Sequence, residues 1–201
     1  MGVEEAITAL RTGLPVILPT DTVYGLCADA YREAPVQRLV RLKGRPNGMP
    51  LALLASDLEV ILDAVPELRG RAAVLARGLL PGPFTLILAN PGRRFRWLSG
   101  SDPESIGIRV PELPDECHAV LDRLGAVAAT SANLHGGRDP ARPGDIPEEI
   151  WRGAGALVDA GELPGTPSTV IDLRGPQPRV VREGAVRTAD ALAAIARVAS
   201  E

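Results

Sequence analysis

The sequence predicts a mixed α/β fold, and three observations carry that expectation. Segments of helical spacing alternate with apolar runs of four to six residues. The last of those runs follow one another across short Gly/Pro linkers, which favours antiparallel neighbours inside a mixed sheet. The 201 residues are 45% apolar but only 3% aromatic, so a core of Leu, Val, Ile and Ala in one domain spanning 1–201 fits this length.

The elements follow in order. Residues 3–11 have helical spacing, and Gly13 stands where such a helix would stop. "VILP", 16–19, is a short buried strand. "PVQRLVRLKG", 35–44, is a helix ended by Gly44, and "LALLA", 51–55, is a second strand. Helices are expected over about 57–64 and 67–79. Strands follow at "TLILA" (85–89), "SIGIRV" (105–110) and "AVAAT" (126–130), with the helix "DECHAVLDRLG" before the last of them. "ALVDA" (156–160), "STVIDL" (168–173) and "RVVRE" (179–183) add three strands. A final helix over about 188–199 takes Thr188 as its N-cap. Most of the 19 prolines and 21 glycines fall between these elements, so the linkers are shaped loops, the usual place for binding groups.

Composition excludes several classes. The formal net charge is −3, which leaves no global basic field for coating nucleic acid. The start "MGVEEAITALRTG" carries glutamates where a signal peptide needs positive charge. No run of 18 apolar residues offers a membrane span. Cys27 and Cys117 are isolated, which suits a reducing compartment, and a cytoplasmic location is expected. His118 and His135 lack partners at metal-ligand spacing, so no protein-held metal is expected.

The candidate chemistry lies on loops at strand ends. In "RLKGRPNGMPLALL" stands Lys43, the chain's one lysine among 22 basic residues. A cluster of Arg41, Lys43 and Arg45 suits a helix C-terminus through the dipole alone. Lysine differs from arginine as a compact point charge with three rotatable donors, which suits a phosphate chain whose charge moves during reaction. "PTDTVYG", 19–25, sets hydroxyls after a buried strand. It is a plausible Asx/Thr turn and also faces the usual ligand crevice of an α/β sheet. "TSAN", 130–133, repeats that logic. "LLPGPFTL", 79–86, reads as a rigid turn feeding a strand. Arg109 interrupts an apolar strand, so it either snorkels at an edge or enters a site to pair with a carboxylate. Ser168 and Thr169 open one strand and Arg182 ends another. There is no GxxxxGK[ST], no GxSxG and no GxGxxG. What remains is a cationic and hydroxyl set that binds an anion and stabilises developing charge.

Taken as an ordered series, "PTDTVYGL", "KGRP…PLALL", "LLPGPFTLIL", "IGIRVPELP", "TSAN", "STVIDL" and "RVVREGAV" resembles the YrdC-type threonylcarbamoyl-AMP synthases, from about residue 5 to 187. The K-x-R and S-x-N pairs of that signature are Lys43, Arg45, Ser131 and Asn133 here. The resemblance implies a twisted mixed sheet with flanking helices and a large concave, positively lined groove. It implies condensation of L-threonine, bicarbonate or carbon dioxide, and ATP into threonylcarbamoyl-adenylate and pyrophosphate. A partner transferase complex would then place the threonylcarbamoyl group on tRNA. Longer relatives carry an extra C-terminal domain, and this chain resembles the single-domain bacterial type. Magnesium would bridge the phosphates. By motif position, Lys43, Arg45, Thr85, Thr130, Ser131, Asn133 and Arg182 would take the ATP or adenylate part. Thr20, Thr22, Arg109 and Ser168 would take threonine, with Lys43 and Arg45 as the catalytic cations.

Some positions depart from that pattern. Leu54 stands where relatives often have a histidine touching threonine, Pro167 where a glutamate is usual, His135 where a serine is common, and Cys27 where a small residue is usual. Two other readings stay open. Hydrogenase-maturation carbamoyltransferases share the domain type but are longer and carry zinc-finger-like cysteines. A non-catalytic RNA-binding module is the second, since "RRFRW", 93–97, interleaves basic and aromatic residues, although a solvated loop with Trp97 packed down accounts for it too. Weak tRNA binding is compatible with either.

Overall fold

The computed structural model describes residues 2–200. In chain order the elements are α1 (Val3–Arg11), β1 (Val16–Leu18), β2 (Gly25–Asp29), α2 (Glu33–Lys43), β3 (Ala52–Leu54), α3 (Leu58–Ala64), α4 (Arg71–Leu79), β4 (Phe84–Ala89), β5 (Ser105–Arg109), α5 (Asp115–Asp122), β6 (Val127–Ser131), α6 (Glu148–Gly153), β7 (Ala156–Leu157), β8 (Thr169–Asp172), β9 (Arg179–Arg182) and α7 (Thr188–Ser200). The strands join one mixed sheet in the order β7-β1-β2-β6-β3-β5-β4-β8-β9. β1, β2, β6 and β3 pair antiparallel in turn, β3 and β5 pair parallel, and β5 and β4 antiparallel. β4 and β8 pair parallel, and β8 and β9 antiparallel.

Register decides what each face carries. Partners across adjacent strands share a face, because side chains alternate with period two. Ile108 pairs Leu86, which pairs Ile171, and that face is apolar. It packs under Val36 and Leu39 of α2, Ile61 of α3, Leu75 and Leu79 of α4, and Ala191 and Ile195 of α7, all buried. The opposite face carries the row Cys27, Ala129, Ala52, Gly107, Ile87. Only one end of it is covered. There Ile7 and Leu10 of α1 and Val120 and Leu121 of α5 pack on Val16, Leu18, Cys27 and Val127.

Local chemistry sets the helix ends. α2 stops at Gly44, which adopts a left-handed φ of 63° that a side chain would strain. Asp57 caps α3 by accepting from the Glu59 amide at 2.7 Å. Gly100, with φ 63°, lets two loops touch: a Cβ there would fall 2.3 Å from the Gly48 carbonyl oxygen.

Several expectations change. β2 begins at the glycine that closes the expected loop 19–25, and its remaining residues, like α6, have no counterpart in the expected elements. α4 begins at Arg71 rather than near 67, after a turn closed at Gly70. The last three strands do not form one meander. β7 joins the far edge beside β1, and only β8 and β9 pair antiparallel. Thr188 is the first residue of α7 and not an accepting N-cap. Its amide and hydroxyl both donate to Glu183 Oε2, at 2.8 and 2.6 Å, so the carboxylate serves the helix end.

Candidate active site

The uncovered part of the sheet face holds a cavity of about 430 Å³. Its floor is made of small residues, Ala129, Ala52 and Gly107, with Thr85, Ile87 and Val170 beyond them. Small side chains are what keep this half of the face open. Eight of the residues expected from sequence line it: Thr20, Arg45, Thr85, Arg109, Thr130, Ser131, Ser168 and Arg182. Lys43, Thr22 and Asn133 do not line it and stand behind those that do. Leu54 and Pro167 also line the wall, so two of the departures noted above fall at the cavity itself.

Three guanidinium groups converge here. Arg109 rises from the centre of the sheet and is buried, with Nη2 donating to Thr20 Oγ1 at 3.2 Å, to Asp21 Oδ1 at 2.5 Å and to Thr22 Oγ1. Arg45 donates to the Pro50 carbonyl at 2.7 Å and lies 3.5 Å from Thr130 Oγ1. Arg182 donates to the Ser168 carbonyl at 2.7 Å, and Ser168 Oγ sits 2.8 Å from Thr85 Oγ1. Burial lowers the pKa of both Arg45 and Arg109, and the like charge of Arg182 lowers each further. The Nε atoms of Arg45 and Arg109 are buried without a partner. Guanidinium groups crowded together with donors unused form a site that an anion completes.

Lys43 ties the wall from behind. Its Nζ donates to the carbonyls of Ser131 at 2.6 Å and Asn133 at 3.0 Å, and to Asn133 Oδ1. Asn133 Nδ2 reaches the Gly137 carbonyl at 2.6 Å, and Ser131 Oγ reaches Asn133 Oδ1 at 2.7 Å. Burial, then Arg45, pulls the Lys43 ammonium down to about 8. The lysine, serine and asparagine of the motif therefore form one knot between the end of α2 and the end of β6.

At the other end of the cavity the arginine is matched by carboxylates. Arg174 makes a bidentate pair with Asp172, Nε to Oδ1 at 2.9 Å and Nη2 to Oδ2 at 2.8 Å, and its Nη1 meets Asp102 at 2.5 Å. Ser99 also lines this end, and its hydroxyl is buried without a partner. The rim is stitched by backbone bonds, Ser101 N to Gly48 O at 2.9 Å and Leu51 N to Leu98 O at 2.8 Å. Sequence reading passed over Asp21, Ser99, Asp102 and Arg174. Asp21 stood inside a quoted motif, while Arg174 acquires its meaning only from β8 lying beside β4.

The remaining residues singled out in the sequence lie elsewhere. Cys27 and Cys117 are buried thiols pushed up to about 12 by desolvation, so they pack and do not react. His135 is exposed. In "RRFRW", Trp97 donates to the Ala30 carbonyl at 2.8 Å, and Phe95 stacks edge-on with Tyr31 and Trp97. Arg93 pairs with Glu104 at 2.8 Å and Arg94 with Glu67 at 3.1 Å, so two of that segment's cations are already matched. Among the described residues no helix is long and apolar enough to cross a membrane.

Fold and site together define a mixed-sheet α/β protein with an arginine-lined cavity on one half of a sheet face. The Sua5/YciO/YrdC family model, described as telomere recombination, matches residues 8–184, and the chain belongs to that family. Threonylcarbamoyl-AMP synthase of Methylococcus capsulatus is 40% identical over 150 residues, 73% of this chain and 76% of that protein. The crystal structure of P. abyssi Sua5 complexed with L-threonine superposes with a TM-score of 0.84 at 31% identity, over 96% of this chain and 57% of that one. Escherichia coli YciO superposes with a TM-score of 0.82 at 29% identity, over 94% and 92% of the two chains. The expected mixed sheet with flanking helices is the fold of these structures.

Proposed function

We propose that this protein is an L-threonylcarbamoyl-AMP synthase, a nucleotidyltransferase that joins L-threonine, bicarbonate or carbon dioxide, and ATP, and releases pyrophosphate. The observation that carries the reading is the convergence of Arg45, Arg109 and Arg182 on one cavity floored by small residues. Such a cavity suits a ligand that brings a carboxylate and phosphates together. Membership of a family that includes threonylcarbamoyl-AMP synthases supports it.

In this reading the amino group of threonine, carboxylated, gives a carbamate whose oxygen attacks the α-phosphorus of ATP. The bond to the β-phosphate oxygen breaks and pyrophosphate leaves. Little covalent chemistry falls to the protein, so positioning and cationic stabilisation dominate. Arg109 holds the threonine carboxylate, with Thr20 and Ser168 around the amino acid and carbamate and Thr22 holding Arg109 from behind. Arg45 and Arg182 meet the phosphates, and Thr85, Thr130 and Ser131 hold the adenylate, with Asn133 bracing Ser131 from behind. Lys43 adds its charge from behind Ser131 and fixes that loop in place. Among the described residues no three His, Cys, Asp or Glu side chains group to hold a metal. That donor set fits a magnesium ion carried on the phosphates themselves, which would neutralise their charge as pyrophosphate departs. The product would pass to a transferase complex acting on tRNA.

The test is pyrophosphate release from ATP with bicarbonate, with and without L-threonine. Threonine-dependent release establishes the reading. Folded protein that releases none with any amino acid, yet binds tRNA with a steep salt dependence, replaces it with the RNA-binding module.

A further inference from the structure

Two aspartate–arginine pairs border the cavity, one nearly buried at Arg109 and one with its arginine exposed at Arg174, and they are built differently. Arg174 is saturated: Asp172 takes two parallel bonds and Asp102 the remaining nitrogen. Arg109 meets Asp21 end-on, through Nη2 alone. The hydroxyls of Thr20 and Thr22 accept from that same nitrogen. Asp21 Oδ2 and Arg109 Nε are both buried with no partner. A pair made only to hold the fold would close both edges, as Arg174 does. Here the loop forbids it. Thr20 Oγ1 takes the amides of Thr22 and Val23, both at 3.3 Å, and Gly165 N donates to the Thr22 carbonyl at 2.8 Å, so Asp21 is fixed at one corner of the guanidinium. Arg109 lines the cavity and Asp21 does not.

The contrast extends to charge. Arg45 and Arg182 donate only to neutral oxygens, of Pro50, Thr130 and Ser168. Arg109 alone of the three carries a permanent carboxylate, with both side chains about one-tenth exposed. A dianionic phosphate approaching Arg109 meets Asp21 as a like charge in a poorly solvated place, whereas at Arg45 and Arg182 it meets no such opposition. A monoanionic carboxylate on the open side of the fork is opposed far less and keeps the directional bonds.

We propose that Asp21 is a positioning and specificity residue that reserves Arg109 for the carboxylate of the amino acid and turns phosphates away to Arg45 and Arg182. The proposal rests on the synthase reading, deepens it, and names how one cavity keeps two anions in their places. Asp21 touches Arg109 rather than the reacting atoms.

The experiment measures equilibrium binding of L-threonine and of inorganic pyrophosphate, each alone and in competition, to wild type and to Asp21→Asn. Asparagine keeps the size and the oxygen facing Nη2 but removes the charge. Wild type is expected to bind L-threonine without competition from pyrophosphate. In Asp21→Asn pyrophosphate is expected to compete, and the affinity ratio of L-threonine to pyrophosphate to fall about tenfold or more, the scale of one charge-assisted contact. Asp21→Glu, which keeps the charge, is expected to retain the discrimination better than Asp21→Asn. Asp21→Thr serves as the charge-free variant if Asp21→Asn does not fold. An unchanged ratio without new competition in a folded neutral variant overturns the proposal and leaves the synthase reading standing. Wild type that binds no L-threonine overturns that reading, and the proposal falls with it.

Discussion

One face of the sheet is put to two uses, and the border runs along Leu54 and Ala129, which belong both to a packed cluster and to the cavity wall. On the side of β1 and β2, large apolar side chains from α1 and α5 cover the strands. On the side of β5, β4 and β8, Gly107, Ala52 and Thr85 leave the face bare, and arginines ring it. The strands are the same kind of object on both sides. Side-chain volume, more than backbone, separates a core from a site.

That contrast can be broken from either direction. The largest expected effect is Lys43→Ala, which removes the only cation in the knot behind Ser131 and Asn133. Threonine-dependent pyrophosphate release should fall about 10²-fold or more, the scale of losing a transition-state stabiliser. A folded Lys43→Ala enzyme with normal turnover would falsify its proposed role. Next, Leu121→Ala opens a hole under the covered half and should cost about 2–5 kcal/mol of stability in denaturant unfolding. Activity per folded molecule should stay near wild type, and a selective loss of turnover would show the two halves to be coupled.

Gly107→Val tests the open half. A Cβ there meets nothing closer than 3.7 Å, and the backbone does not require glycine, so the protein should fold with its melting temperature nearly unchanged. The added methyls enter the cavity, and KM for ATP or threonine should rise about tenfold. An unchanged KM places the substrates elsewhere. The smallest effect expected is a displaced pH profile. Lys43 titrates near 8 in the folded protein against an ordinary 10.5, so between these values the unfolded chain holds the extra proton and this residue's contribution to stability rises with pH. Activity should run the other way, declining as the ammonium is lost above about 8. Lys43→Arg, whatever its absolute rate, should carry that decline to higher pH. Coincident profiles assign the decline to another group.

The same contrast explains what sequence made legible. Strands such as Val16–Leu18, covered on both faces, and Phe84–Ala89, covered on one, announce themselves by apolar runs. β2 does not, because it carries Gly25, Cys27 and Ala28, small residues where a buried strand more often carries Val or Ile. α6 is short and buries one residue, Ile150, too little for a periodicity. Arg109 stood out as a charge in an apolar strand, and eight of the residues expected from motif order line one cavity. Asp21 escaped notice since a turn accounts for an aspartate in "PTDT" equally well. The link between Arg174 and Asp102 lies outside any local pattern, as 72 residues separate them in the chain.

Gly100 carries a further consequence. With no side chain at that point, the loops holding Arg45 and Asp102 meet backbone to backbone and are joined by the amide of Ser101. They cannot swing separately. The conformational entropy of ordering the cavity mouth is therefore lost when the chain folds, and a ligand entering past Arg45 would not bear that cost.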